Sequence, residues 1–269
     1  MPELPEVETV RRAMQEALPG RQIDRVETSN KRLRERLDRA RLQGLCGERF
    51  VAARRRAKYL LLELDSGATL LVHLGMSGNL LLREPGQRHD HVVFYLDGER
   101  PLVFNDPRRF GMVLVLEEGE VDGCRYLSNL GPEPLTAAFH TRYLQRLCQS
   151  RKTPIKQLIM DGHIVVGVGN IYASEALFFA GIHPQTAARD VSPQALGALV
   201  QSIKRVLRNA VRKGGTTISD YLGSGEGGRF QQRLAVYGRA GQPCRRCDSP
   251  LQSAVMGGRN TFFCTRCQQ

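Results

Sequence analysis

A chain of 269 residues exceeds the common single-domain size, and 41% hydrophobic with 25% charged residues describes a folded protein rather than a disordered one. The formal net charge of +12 favours a polyanionic partner, nucleic acid first and an anionic membrane surface second. No apolar run approaches the roughly 18 residues of a spanning helix and no signal peptide opens the chain, so no spanning helix is expected and the expected location is the cytoplasm, or the nucleoid.

The chain opens MPELPEVE. Removal of Met1 would give Pro2 a free secondary amine. An α-amino group titrates near roughly 7.7–8.0, against roughly 10.4 for lysine, so part of it is uncharged at neutral pH and able to attack an aldehyde carbon. A secondary amine yields an iminium that is positive at every pH; it acidifies the neighbouring C–H and favours β-elimination. Glu3 and Glu6 stand close by as acid or base. The same residues also suit an ordinary helix start. Pro5 fits the first position, Glu6 and Glu8 complement the helix dipole, and Val7, Val10, Met14 and Leu18 share one amphipathic face.

RQIDRVET reads as a short strand, and the arginine-rich NKRLRERLDRARLQG as mainly a solvated basic face. ERFVAARRRAKYLLLEL and ATLLVHLGMSG flank the turn Asp65-Ser66-Gly67; HVVFYL and RPLVF flank Asp97-Gly98; GMVLVLEE adds a further strand. Short strands with regular turns predict a β-sandwich or barrel. Three stretches do not fit a plain sandwich. Lys58 follows three arginines at the start of an apolar strand, where its charge cannot stay buried unpaired. Met76 taken singly belongs to a core, but Gly75 and Gly78 around it suit a loop. Phe110 follows Arg108 and Arg109 on a turn after Pro107, and fits a core or a wedge into a base stack equally well. His73, His89 and His91 read as satisfied strand histidines.

LGPEPL is a rigid connection, after which the pattern turns helical. FHTRYLQRLCQS is one helix. TPIKQLIMDG is the next, with Thr153 as N-cap and Pro154 in the first turn. VVGVGNIYASEALFFAGI opens with glycines and continues as an apolar helix; Gly167, Gly169 and Asn170 suit either close approach of a phosphate or tight helix packing. SPQALGALVQSIKRVLRNAVRKGG is amphipathic and stops at Gly214-Gly215. GSGEGGRF is a glycine-rich loop without the flanking strand of a nucleotide fingerprint. The end of the chain carries Cys244-x2-Cys247-x16-Cys264-x2-Cys267, the spacing of a closed four-thiolate site for one structural Zn2+. Two strand-like runs around Gly257-Gly258 predict a zinc ribbon with Arg259 at its hairpin tip, a module that binds protein or nucleic acid. Cys46, Cys124 and Cys148 lack ligand spacing and read as reduced thiols.

MPELPEVE, RRAKYL, HLGMSG, NDPRRFG, LGPEPL, VVGVGNIYASE, HP, GGTT, AVYGR and the four-cysteine finger follow one another from end to end. In these motifs the chain resembles the bacterial formamidopyrimidine-DNA glycosylases. The related endonuclease VIII group usually opens with a PEGPE-type start, whereas PELPE here points to oxidised purines, especially 8-oxoguanine opposite cytosine and formamidopyrimidines. The resemblance implies an α+β protein: an N-terminal β-sandwich domain with an N-terminal helix over 1–131, a helical domain with a helix–two-turn–helix over 132–238, and a zinc-ribbon finger over 239–269. It implies a base-excision repair glycosylase and abasic-site lyase that acts on double-stranded DNA; no feature of the sequence suggests an obligate protein partner, so a monomer is expected. Pro2 would attack the sugar C1′ and Glu3 would move a proton at the sugar. Lys58 would serve β-elimination and Arg259 δ-elimination, each also gripping phosphate. Met76, Arg108 and Phe110 would fill the gap left by the everted nucleotide, with Arg108 reading the orphaned cytosine. His89, Arg151, Asn170, His73 and Tyr237 would hold backbone phosphates. The loop LGSGEGGRFQQ departs from the family in length and composition, which leaves the residues that touch the lesion unassigned.

Overall fold

The computed structural model describes residues 2–98, 100–214 and 234–269. They fall into two compact units that divide between Ser128 and Asn129.

The first unit runs α1 (Leu4–Ala17), β1 (Ile23–Thr28), α2 (Arg39–Gly44), β2 (Phe50–Arg56), β3 (Tyr59–Leu64), β4 (Thr69–His73), β5 (Asn79–Leu82), β6 (Asp90–Leu96), β7 (Leu102–Asn105), β8 (Met112–Leu116) and α3 (Glu120–Gly123). Two four-stranded sheets form, ordered β1-β6-β7-β5 and β2-β3-β4-β8, with every pairing antiparallel. Alternate strand residues point inward, so Leu60, Leu62, Leu70 and Val72 of one sheet share a core with Val92, Phe94, Leu102 and Phe104 of the other. Val7, Val10, Met14 and Leu18, the apolar face read from the sequence, join that core. The run 48–64 is two strands rather than one. Arg56 pairs with Tyr59 and closes a tight hairpin, with Ala57 in the left-handed region at φ +55° and Lys58 beside it in the turn. Lys58 therefore escapes the burial that its apolar neighbours suggested.

The second unit contains α4 (Thr141–Cys148), α5 (Ile155–Met160), α6 (Asn170–Ala180), α7 (Pro193–Arg212) and a hairpin of β9 (Gln252–Met256) with β10 (Arg259–Phe263). The N-cap of α5 is Pro154, not Thr153. The chain is still extended at 154, where Pro154 bridges Ala187, and the Ile155 N–H donates to the Thr186 carbonyl. α5, two turns and α6 form the helix–two-turn–helix. α6 carries apolar residues around its whole circumference, and Tyr172 to Phe178 are buried, Ser174 and Glu175 among them. α7 buries one stripe, from Leu196 to Ala210, and Ser192 caps it through the Ala195 N–H. The loop LGSGEGGRFQQ and most of GGTT lie outside the described residues.

Between α6 and the finger, one carboxylate organises the backbone. Glu175 is buried on α6 and accepts the N–H groups of Ala235 at 2.7 Å, Val236 at 2.9 Å and Tyr237 at 3.0 Å. Burial pushes its pKa up, and the three donors act against that shift. Glu175→Ala should lower the unfolding free energy in urea by about 2–4 kcal/mol, because two buried donors and one part-buried donor lose their acceptor. Deprotection of amides 235–237 in hydrogen exchange should accompany it. A loss below about 0.5 kcal/mol would contradict this role.

Candidate active site and nucleic-acid interface

At the amino end Pro2, Glu3 and Glu6 are all buried. Glu3 caps α1 in a reciprocal box: its carboxylate accepts the Glu6 N–H, and the Glu6 Oε2 accepts the Glu3 N–H at 2.9 Å. This fixes the backbone of Glu3 in an extended conformation immediately after Pro2. One turn further on, Glu8 accepts from Arg55 Nε at 3.1 Å, and Arg55 also donates to the Ala57 carbonyl at 2.9 Å. Burial raises the Glu8 pKa, but Arg11 and Arg55 together hold its carboxyl below the usual range. The hairpin turn that carries Lys58 is thereby fastened to the first turns of α1. Nothing in the sequence singles out Arg55 as the fastener, because it stands in a run of three arginines.

Met76 is 40% exposed and Phe110 is 49% exposed, so neither belongs to the core. They ride on two adjoining turns, 74–78 and 106–111, held together by Asp106. This carboxylate is fully buried. It accepts Ser77 Oγ at 2.7 Å, the Arg108 N–H at 3.2 Å and the Gly111 N–H at 2.7 Å. Gly75, at φ +64°, lies so close to Phe110 and Gly111 that a Cβ there would meet backbone atoms at 2.5 Å. Arg109 adopts φ +57°, and the Arg108 guanidinium sits 5.0 Å above the Phe110 ring. Sequence reading picked the exposed residues of NDPRRFG and missed Asp106; its signal was an Asp-Pro pair opening a turn.

His91 is the satisfied strand histidine that the sequence suggested: Nδ1 lies 2.9 Å from Ser29 Oγ and Nε2 lies 3.0 Å from the Asp106 carbonyl. His89 is half-buried, its ring 6.5 Å from that of His91, and its carbonyl accepts the Asp106 N–H. His73 ends β4. Its Nδ1 accepts the Gly75 N–H at 3.0 Å, which leaves Nε2 as the N–H donor of a neutral ring. Burial, then the charges of Arg34 and Lys58, lower its pKa to about 4.

The second unit carries the other residues expected at the site. Asn170 is the first residue of α6, its Nδ2 donating to the Asn260 carbonyl at 2.9 Å. Lys156 on α5 is buried and donates to Asn170 Oδ1 at 2.6 Å and Thr261 Oγ1 at 2.5 Å. Thr261 in turn donates to the Arg259 carbonyl at 3.2 Å. The start of α6 and the strand that begins at Arg259 are thus joined through one ammonium group. Gly257 and Gly258, at φ +55° and +72°, form the tight turn before Arg259. A pocket of about 250 Å³ lies there, lined by Lys156, Gln157, Met160, Asp161, Met256 and Arg259 among others. Lys156 was missed by sequence reasoning; a lone cation in the apolar helix IKQLIM was the available clue. Tyr237 stacks edge-on to Phe262 at 5.0 Å, and Arg151 is exposed just after α4.

The four finger cysteines bring their Sγ atoms within 4.8 Å of one another, with Cys244–Cys267 at 3.9 Å and Cys247–Cys264 at 3.5 Å. Four thiolates about 2.3 Å from a tetrahedral zinc stand roughly 3.8 Å apart, so the donor set fits one structural Zn2+ with no open position. Gln268 fastens the finger to the end of α6 by donating to the Ile182 carbonyl at 2.9 Å. No helix among the described residues is long and apolar enough to cross a membrane.

Comparison with known proteins agrees with these features. Residues 1–113 match the Formamidopyrimidine-DNA glycosylase N-terminal domain, 130–221 the Formamidopyrimidine-DNA glycosylase H2TH domain, and 241–269 the zinc finger found in FPG and IleRS. The formamidopyrimidine-DNA glycosylases of Pectobacterium atrosepticum and Enterobacter sp. are 49% and 47% identical, with full coverage of both chains in each pair. The crystal structure of the Thermus thermophilus protein superposes with a TM-score of 0.89 at 39% identity, covering 99% of this chain and 98% of that one. A Lactococcus lactis mutant protein, solved with DNA containing Fapy-dG, gives 0.93 at 32% identity with both chains fully covered. The fold and the four-cysteine finger define a zinc-bearing DNA glycosylase that acts on damaged DNA. More particularly, the chain belongs to the formamidopyrimidine-DNA glycosylase family.

The neutral state of His73 has a measurable consequence. In the unfolded chain it binds a proton near pH 6.5, and in the folded protein only near 4. Between these values the unfolded state holds more protons, so this contribution to stability is complete above 6.5 and falls as the pH drops. Between pH 7 and 4.5 the wild type should lose ~2 kcal/mol more unfolding free energy than His73→Gln. Parallel pH profiles for the two proteins would refute a neutral His73.

Proposed function

We propose that the chain excises oxidised purines, 8-oxoguanine and formamidopyrimidines, from duplex DNA and cleaves the abasic strand through an iminium at Pro2. The observation that carries this reading is the arrangement around α1: a buried, capped Glu3 directly follows Pro2, and Arg55 fastens the Lys58 turn to the same helix. After loss of Met1, the Pro2 nitrogen bonds to C1′ as the bond from C1′ to the base nitrogen breaks, and the base leaves with a proton. Glu3 moves the proton that opens the sugar ring, which gives the iminium. Loss of a C2′ proton expels the 3′ phosphate in β-elimination, with Lys58 on the phosphate. A second elimination expels the 5′ phosphate, assisted by Arg259, and water releases Pro2. Glu6, occupied in the capping box, holds Glu3 in place.

A base inside a duplex hides its sugar carbon, so the nucleotide must be everted at a cost of a few kcal/mol. Exposed Met76 and Phe110 on the Asp106-braced turns offset part of that cost by filling the gap, with Arg108 toward the orphaned cytosine. His73, His89, Arg151, Asn170 and Tyr237 hold backbone phosphates, His73 as a neutral donor. We further infer that the enzyme works as a monomer in the cytoplasm, at the nucleoid, and that 239–269 acts as a finger domain of its own beside 1–131 and 132–238.

Borohydride should trap abasic DNA on Pro2, located by mass spectrometry of the N-terminal peptide; an adduct on Lys58 would overturn the assigned nucleophile. Excision of thymine glycol in preference to 8-oxoguanine would instead indicate pyrimidine repair. Binding to an 8-oxoguanine duplex that stays intact would indicate a non-catalytic DNA-binding protein.

Chelation of zinc or Cys244→Ala should abolish DNA binding while the β-sandwich still unfolds at its normal urea midpoint. Equal loss of both would argue against a separate finger.

A further inference from the structure

Outside the residues assigned so far, the first unit has a cleft of about 500 Å³ lined by Ser29, Asn30 and four cations, Lys31, Arg32, Arg36 and Arg39. Among the described residues no acid lines it. The two acids in the same loop are turned to other partners: Glu35 to Arg125 and Tyr126, and Asp38 to the Arg41 N–H at the start of α2. Among the described residues Lys31, Arg32 and Arg36 hold no ion pair, although the charge of Arg32 is felt by Glu35. Cations gathered without counter-charges repel one another, and an anion entering the cleft relieves that repulsion.

The loop is held in place. Ser29 donates its N–H to the His91 carbonyl at 2.9 Å, and its hydroxyl meets His91 Nδ1 at 2.9 Å. The Arg34 N–H donates to the Gly111 carbonyl at 3.0 Å, and Leu33 is buried in the core. Arg39 closes the loop by donating to the Ser29 carbonyl and to Asn30 Oδ1. Its anchors, His91 and Gly111, stand next to the Asp106 turn that presents Arg108 and Phe110. The cleft is therefore fixed relative to the proposed plug.

We propose that this cleft grips the sugar–phosphate backbone of duplex DNA beside the plug, as a further anchoring surface carried by Lys31, Arg32 and Arg36. The proposal rests on the reading of the protein as an enzyme of damaged duplex DNA. Cations aimed at phosphates release condensed counterions, so their removal is read in the salt dependence of binding rather than in sequence preference. Arg39 is left out because its hydrogen bonds shape the loop.

The test compares wild type with Arg32→Gln/Arg36→Gln on a duplex containing a reduced, uncleavable abasic site, over a series of NaCl concentrations. The slope of log Kobs against log salt should become shallower by about 2, near 0.9 for each phosphate that is no longer neutralised. Affinity should fall at least about tenfold at low salt. If the double variant does not fold, Lys31→Gln should make the slope shallower by about 1. Unchanged slopes overturn the proposal. So does binding of inorganic phosphate in the cleft, seen as wild-type amide shifts at 29–39, together with an unaltered DNA slope; that result would describe a small-anion site. Failure of the wild type itself to bind the abasic duplex would refute the functional reading rather than the cleft's place in it.

Discussion

The structure of the first unit turns on one buried carboxylate. Asp106 is fully buried and takes donors from two different turns, Ser77 on one side and Arg108 and Gly111 on the other. A carboxylate in that position is stable only when its oxygens are satisfied, and each of its donors comes from a segment that presents an exposed apolar side chain. Its carbonyl also meets His91, which extends the same network to β6. The consequence is that Met76 and Phe110 stay exposed without collapsing onto the core. Gly75 permits the close backbone contact, since any Cβ there would strike Phe110 and Gly111. Exposing two large apolar groups is unfavourable in water, and the rigid turns beneath them fix that exposure in the folded state.

The second unit solves a similar problem with the opposite charge. Lys156 is buried between α5, the start of α6 and β10, and its ammonium donates to both Asn170 and Thr261. An unpaired ammonium there would be costly, so these contacts hold the three elements in register. Zinc fixes the base of the hairpin and Lys156 fixes its flank. Arg259, the first residue of β10, starts from a strand held at both places.

The fold was legible wherever a short repeat carried it. The α1 face, the turns at Asp65-Ser66-Gly67 and Asp97-Gly98, and the cysteine spacing each encode structure within a few residues. What escaped was set by distant partners. The N-cap of α5 moved to Pro154 because Ala187 and Thr186, some thirty positions on, keep the chain extended. The hairpin at Ala57 was hidden because its left-handed residue is an alanine, where glycine or asparagine would have marked the turn. Residue type favoured a core place for Met76 and left Phe110 open between core and surface, and the contacts of Asp106 explain why both are exposed. Asp106 and Lys156 were overlooked for one reason: a charged residue is read as solvated until its donors and acceptors are known.

The basic excess is likewise uneven in its use. Many arginines of the first unit are bound to carboxylates: Arg11, Arg12 and Arg55 to Glu8, Arg41 to Glu117 and Glu120, Arg49 to Asp97, Arg83 to Asp90. Most of these pairs tie one element to another, as Arg55 ties β2 to α1 and Arg49 ties the start of β2 to the turn after β6. The exposed ones among them, such as Arg49–Asp97 and Arg41–Glu120, add little stability one by one. Their larger effect is on the field. By neutralising acids against structural arginines, they leave the surplus positive charge to residues without such partners. Lys31, Arg32 and Arg36 are three of these, clustered on a loop anchored beside the Asp106 turn. A net charge of +12 spread evenly would attract DNA without orienting it. Concentrated beside an exposed Met–Arg–Phe group, the same charge would, on the proposed reading, favour one way of docking over the others, because phosphate contacts position a protein on the duplex without reading its sequence.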